Sequence, residues 1–248
     1  MMLRVSTTDI EQYRRFVVYD YVQENAMLAK IKGVPIKATW QMESGRSFHS
    51  ALEKYDDIVS AQTHAELLNC NHATVPLFKP EGLVNHENYI QHKSYVFNKH
   101  HLAQAREKIG HCLWEVKGNR IFDTTYGPVN VIAKADNVWG LRVQDTKVKF
   151  AKPDGKDHEH DLQWRFYLLV HGAEVFRYNM FTFHEPEEME DSPDVKMMTM
   201  VDFIAFNFWK YDNMEADCLG WLEDYLTWVE GNKLLPFLRK EPRDYQYG

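Results

Sequence analysis

Three residues stand where their types and spacing can do chemistry: Asp136, Asp145 and Lys147. Residues 129–138 and 141–150 read as two strands, with a turn within 137–140, so the segment predicts a β-hairpin. Side chains alternate along a strand. Asp145 and Lys147 therefore share one face, and Asp136 can reach that face from the neighbouring strand. Two carboxylates at close range suit a hard divalent cation such as Mg²⁺ or Mn²⁺. Such a cation stabilises charge on a scissile phosphate and lowers the pKa of a bound water. A lysine beside it can orient that water or stabilise developing charge. Thr146 lies between the two and offers its backbone carbonyl to the coordination shell. The competing account is a surface ion pair of little energetic weight, and a triplet this short does not decide between them.

The flanking segments add to the triplet. A helix is expected over 44–69, with Phe48, Leu52, Tyr55, Ile58 and Val59 at three-to-four spacing and His49 near its start. Another is expected over 161–170, where Gln163 and Tyr167 are four apart and share one face. The order is Gly45 to His49, then Asp136, then Asp145-Thr146-Lys147, then Gln163 to Tyr167. This set resembles the RecB-like branch of the PD-(D/E)XK nuclease superfamily, which includes phage and CRISPR-associated exonucleases. The opening Ser6-Thr7-Thr8-Asp9-Ile10 and Tyr13 are similar to the first helix of those proteins. The resemblance spans residues 5–183. It departs at Ala133-Lys134-Ala135, where many relatives carry a glycine.

The resemblance implies an α/β (α+β) fold: a restriction-endonuclease-like core with a mixed central β-sheet flanked by helices, and helical additions at both ends, in one domain over 1–248. It implies a Mg²⁺- or Mn²⁺-dependent hydrolase cutting DNA phosphodiester bonds, expected as an exonuclease of recombination, repair or phage DNA processing. Asp136 and Asp145 become metal ligands with His49 as an additional one, Lys147 the catalytic lysine, and Gln163 and Tyr167 supports of the site. Some relatives bind an iron–sulfur cluster through four cysteines. Cys70, Cys112 and Cys218 are three and scattered, so no cluster is expected. The resemblance also admits a recombination-protein partner and an oligomer. A protein that keeps the fold and binds DNA without cutting is the alternative, and a C-terminal third that docks a partner is a third option.

Charge distribution bears on the partner. The chain of 248 residues carries a net charge of -7. Residues 89–156 nevertheless hold twelve Lys and Arg against six Asp and Glu, while residues 157–248 hold eight against nineteen. A basic middle can attract phosphates on an acidic protein. Lys134, Arg142 and Lys149 lie there, with Trp139 at the hairpin turn as a candidate for base stacking. Glu185, Glu187, Glu188, Glu190, Asp191 and Asp194 read as a solvated loop.

Other chemistries find little support. No P-loop, dinucleotide glycine fingerprint or Gly-x-Ser-x-Gly is present. His158-Glu159-His160 reads as a solvated pair rather than a second metal site. No secretory leader and no membrane-length apolar run is visible, so the cytoplasm is the expected compartment, the host's if the chain is phage-encoded.

The remaining elements are expected as a helix over 6–31, loop with one short strand over 70–98, and a short helix over 100–109. Strands follow at 111–117 and 120–124, joined by a turn at 117–120, then a strand at 174–183. A loop over 184–194 leads into an aromatic-rich helical end over 197–230. Trp164, Trp209, Trp221 and Trp228 are expected in the core.

Overall fold

The computed structural model describes residues 2–19, 23–35, 37–57, 83–189 and 192–238. The fold is mixed α/β, with mixed sheets flanked by helices. In chain order the elements are β1 (Leu3–Ser6), α1 (Thr7–Tyr19), α2 (Glu24–Ile31), α3 (Trp40–Glu53), β2 (Leu83–Asn85), β3 (Tyr89–His92), β4 (Tyr95–Asn98) and α4 (Lys99–Ile109). Then come β5 (Leu113–Thr124), β6 (Gly127–Trp139), β7 (Arg142–Lys149), α5 (Lys156–Glu159), α6 (Leu162–His171), β8 (Val175–Phe183), β9 (Glu187–Met189), β10 (Ser192–Met198), β11 (Met200–Trp209), α7 (Met214–Gly231) and α8 (Leu235–Leu238).

The larger sheet runs β1-β6-β7-β8-β11, with β5 also on β6, and a smaller sheet runs β2-β3-β4-β10-β9. Strand β6 organises the larger one. Along one edge it pairs with β5 from Gly127 to Val138. Its other edge is shared: β1 lies parallel against Val129–Ile132, and β7 lies antiparallel against Asn137–Trp139. Among the described residues, none pairs as a strand with 133–136 on that edge. The sheet has a gap there, between a parallel and an antiparallel neighbour.

Apolar side chains fill both faces of the larger sheet. Val129, Val131, Ala133 and Ala135 of β6 face one core with Ile10 of α1, Phe166 of α6 and Leu222 of α7. Strand β8 serves both sides: Phe176, Tyr178 and Met180 enter that core, and Phe181 and Phe183 enter the second. The second core is built on Phe48 of α3, whose ring meets Phe181 at 5.2 Å and Phe183 at 5.0 Å. This aromatic contact anchors α3 against the sheet and so places the adjoining His49.

Several expected elements differ. The helix expected over 6–31 is two helices, α1 and α2, preceded by a strand, with Gln23 extended before α2. The helix expected over 44–69 spans Trp40–Glu53, capped at its start by Thr39, whose side chain accepts from the Met42 amide, and ended at Lys54; residues 58–69 lie outside the described set. Residues 83–98 form three strands rather than loop, while 70–82 fall outside the description.

The turn expected at 117–120 is absent, because β5 continues straight through Gly118 paired with Ala133. The glycine serves a different need: a Cβ there would lie 2.8 Å from the His171 ring, so it permits close packing of α6 on the sheet. The loop expected over 184–194 instead carries β9 and the start of β10, which pair with each other, and the helical end expected from 197 begins only at Met214, because 192–198 is β10 and 200–209 is β11, antiparallel to β8. Its run of aromatic and branched residues suits a pleated surface as well as a helix. As a result Trp209 is 62% exposed on a strand end instead of core. No described helix is long and apolar enough to cross a membrane.

Candidate active site

The gap in the sheet is where the chemically capable side chains meet. The register of β6 with β7 ends at Asn137 opposite Gln144. Continuing it one step would set Asp136 opposite Asp145, but there the strands part. Side chains then take over the backbone groups. The Asp136 carboxylate accepts from the Thr146 amide at 2.7 Å. The Thr146 carbonyl meets His49 Nε2 at 2.7 Å, and His49 Nδ1 lies 3.5 Å from Asp136 Oδ2. A histidine from one side of the sheet thus closes a triangle with the first aspartate and the backbone of β7.

Asp145 is almost wholly buried and is held from the other side, by α6, so the single face expected for both aspartates is not formed. Its Oδ1 accepts from Gln163 at 3.2 Å, and its Oδ2 pairs with the Lys147 ammonium at 2.6 Å. Gln163 also donates to the Tyr167 hydroxyl at 3.1 Å, and Tyr167 donates to the Lys134 carbonyl on β6 at 2.7 Å. One face of α6 therefore spans the gap, tying the buried carboxylate on β7 to the backbone of β6. The four-residue spacing of Gln163 and Tyr167 is what lets both reach it.

The buried charges at the gap act strongly on one another. Burial pushes the Asp145 carboxyl above the usual carboxylate range; Lys147 opposes this, Asp136 adds to it, and His49 opposes it. Burial pulls the Lys147 ammonium down, but Asp145 and then Asp136 more than reverse that, leaving it above the ordinary lysine value. Lys147 is therefore a fixed positive charge rather than a proton acceptor near neutral pH. Burial, then Asp145, push the Tyr167 hydroxyl above the ordinary phenol range, so it remains a donor.

Two carboxylates, a carbonyl and an imidazole are a donor set that fits a divalent cation with oxygen preference. Among the described residues, however, no three His, Cys, Asp or Glu side chains converge on one point. His49 and Asp136 meet at Thr146, while both Asp145 oxygens are engaged by Gln163 and Lys147. The donors are neighbours across the gap rather than a formed cage.

The candidate DNA-contact residues are not gathered at this gap. Lys134 is exposed and ion-paired with Glu115. Trp139 is 59% exposed at the hairpin tip, with the Arg142 guanidinium 5.5 Å from its ring centroid. This pair lies three residues along the strands from the aspartates, about 10 Å away at strand rise. Lys149 is half-buried at the far end of β7.

His158 is not the solvated side chain its sequence setting suggests. It is buried, with Nδ1 2.8 Å from Asp161 Oδ2. It belongs to an ionic cluster of Glu11, Arg14, Arg15 and Asp161 that joins α1 to the start of α6. Sequence reasoning missed this cluster. The only local signal is Glu11 placed three and four residues before the two arginines, and their partner Asp161 is 146 positions from Arg15. Cys112, half-buried, and Cys218, buried, are free thiols, and Cys70 lies outside the described residues.

Tyr167→Phe tests the spanning role of α6. It removes the bond to the Lys134 carbonyl and one acceptor of Gln163, so the amide that donates to Asp145 is held less firmly. If the gap holds a metal with Asp145 as ligand, as proposed below, the expected loss is about 10–100-fold in metal-supported activity, the usual cost of removing an outer-shell partner. Titration of rate against metal concentration checks it, and an unchanged half-saturating concentration and rate would count against the link.

No family model matches the chain, and no curated protein matches its sequence. Among solved structures, an alkaline exonuclease (LHK-Exo) from Laribacter hongkongensis aligns over 92% of this chain and 89% of its own, with TM-score 0.43 and 10% identity. LHK-Exo in complex with dAMP aligns over 92% and 88%, with TM-score 0.41 and 12% identity. A phage-related exonuclease from Haemophilus somnus aligns over 92% and 83%, with TM-score 0.36 and 7% identity. Similarity at this level carries no argument about chemistry, so the case stands on the geometry of the gap.

Proposed function

We propose that the chain is a Mg²⁺- or Mn²⁺-dependent DNA nuclease, a single domain with a restriction-endonuclease-like core, acting as an exonuclease in recombination, repair or phage DNA processing. The observation that carries this reading is the meeting of His49, Asp136, Asp145 and Lys147 at one break in the sheet, with Gln163 and Tyr167 bracing it. Asp136, Asp145 and the Thr146 carbonyl would hold the cation, with His49 beside them. When bound, the cation supplies Lewis-acid stabilisation of the phosphate and a more acidic water.

The protein's own groups have separable tasks. Lys147, protonated and 35% exposed, presents a positive charge to a phosphate oxygen or holds the attacking water. Gln163 keeps Asp145 in place, and Tyr167 keeps Gln163 in place. Trp139 and Arg142 form a ring-and-guanidinium surface to which a flanking nucleotide can stack. A cytoplasmic site of action, the host's if the gene is carried by a phage, accords with this role.

The test is degradation of labelled single- and double-stranded DNA with Mg²⁺, Mn²⁺ or EDTA. Cleavage is expected with either metal and is expected to disappear in EDTA and in Asp145→Ala. Metal-dependent cleavage that survives unchanged in Asp145→Ala would sink the assignment. Tight binding without cleavage under every metal condition would point to a non-cutting DNA-binding protein instead. Release of mononucleotides from linear but not circular DNA identifies exonuclease action.

A further inference from the structure

The ionic cluster beside the gap holds more than a structural bridge requires. Glu11 and Asp161 are both buried, and Arg14, also buried, already joins them: its Nε and Nη2 reach Glu11 at 3.2 and 2.8 Å, and Nη2 reaches Asp161 at 3.0 Å. The Leu162 amide gives Glu11 a further donor at 2.6 Å, and His158 and the Tyr178 hydroxyl serve the other Asp161 oxygen. Every oxygen of the two carboxylates thus has at least one donor without Arg15.

Arg15 adds a second positive charge at the rim. Its Nε pairs with Glu11 at 2.7 Å and its Nη2 lies 3.5 Å from Asp161, yet its side chain is 40% exposed. Among the described residues none accepts a hydrogen bond from Nη1. The position relative to the gap follows from Tyr178. That ring carries its hydroxyl 3.3 Å from Asp161, and the Lys147 ammonium lies 6.0 Å from its centroid. Arg15 is also near enough for its charge to act on Lys147.

We propose that Arg15 is a phosphate-binding residue of the site, engaging a non-bridging oxygen of a phosphodiester next to the one that faces Lys147. This rests on the nuclease reading above and extends it to how the strand is held. The physical reason is preorganisation. A free arginine gives up rotamer freedom when it grips an anion, whereas one already tied along its inner edge to two carboxylates has lost that freedom on folding. Its planar fork keeps a donor for the phosphate. The neighbouring carboxylates reduce its net field, so the contact is expected to act at short range.

The experiment is equilibrium binding of fluorescein-labelled single- and double-stranded DNA to the full chain in Ca²⁺, a cation of similar ligand preference that is expected to suppress turnover. Unsubstituted protein, Arg15→Gln and Arg15→Lys are compared between about 50 and 200 mM salt. Loss of one phosphate contact is expected to reduce the slope of log K against log salt by about 0.9 on duplex or 0.7 on single strands in Arg15→Gln. Arg15→Lys keeps the charge and is expected to retain the slope. Unfolding midpoints are measured in parallel. A variant that is destabilised but keeps the full slope overturns the proposal, because it shows Arg15 to be structural only. Equal slopes in Arg15→Lys and Arg15→Gln, both reduced, also overturn it. If the unsubstituted chain binds no DNA, the nuclease reading fails first and this one with it.

Discussion

Replacing Lys147 by Met is expected to reduce metal-dependent cleavage by on the order of 10³-fold and to move the acid limb of its pH–rate profile upward. The direction follows from the environment of Asp145. Burial already holds that carboxyl above the usual range, and Lys147 is the foremost charge acting against the shift. Without the lysine the carboxyl rises further. The ionised form is the one that binds a cation, so the variant loses its carboxylate at a higher pH than the unsubstituted protein as the solution is acidified. Raising the metal concentration is expected to restore part of the rate by mass action.

Asp145→Asn separates the two effects: it is expected to be inactive across the whole range, with no recovery at high metal. Initial rates over pH at several metal concentrations test both. A Lys147→Met enzyme slowed by one constant factor at every pH would show that the lysine does not tune the aspartate. The shift is also a cost to folding. A carboxyl raised in the folded state contributes stability that is present below its unfolded value, about 3.9, and is lost as pH rises through the folded value. The cation of the proposed function would offset that cost.

The second large effect is expected in stability. Arg14→Met leaves Glu11 and Asp161 with less positive charge in a buried setting, and breaking a buried pair from one side costs about 3–5 kcal/mol. For a chain of this length each kcal/mol corresponds to about 2–4 °C in unfolding temperature. The effect has a pH signature of the opposite sign to that of Asp145. Burial raises the Asp161 carboxyl, but the His158 hydrogen bond and the charge of Arg15 outweigh it, leaving it below the usual range. Its contribution is therefore present above the ordinary carboxylate value of about 3.9 and is lost as pH falls below that. The difference between Arg14→Met and the unsubstituted chain should shrink in acid. Urea unfolding at neutral pH and near pH 3 measures it. A difference below about 1 kcal/mol at neutral pH would mean the cluster behaves like a surface network.

The candidate site was legible because its signals are local. Asp145 and Lys147 are two apart on a strand, and Gln163 and Tyr167 are four apart on a helix, so periodicity alone aligns each pair. The hairpin that carries the aspartates is marked by alternation and a turn, and it is present with nearly the expected ends. The errors are where local signals are ambiguous. Gly118 resembles a turn residue but is an accommodation for the His171 ring. Residues 200–209 carry aromatics that suit either a helix or a strand, and long-range pairing with β8 decides for the strand.

What the sequence determined by itself is therefore the set of chemical groups at Asp136, Asp145, Lys147, Gln163 and Tyr167, and the short elements that aim them. Only the tertiary structure decided that β6 shares one edge between β1 and β7, leaving the gap in which those groups meet. It also decided that His49 reaches the Thr146 carbonyl from across the sheet, and that Asp161 gathers Arg14 and Arg15 beside it. The physical reason is distance along the chain: spacing within a helix or strand follows from backbone geometry, whereas contacts between residues a hundred positions apart follow from which apolar faces pack together.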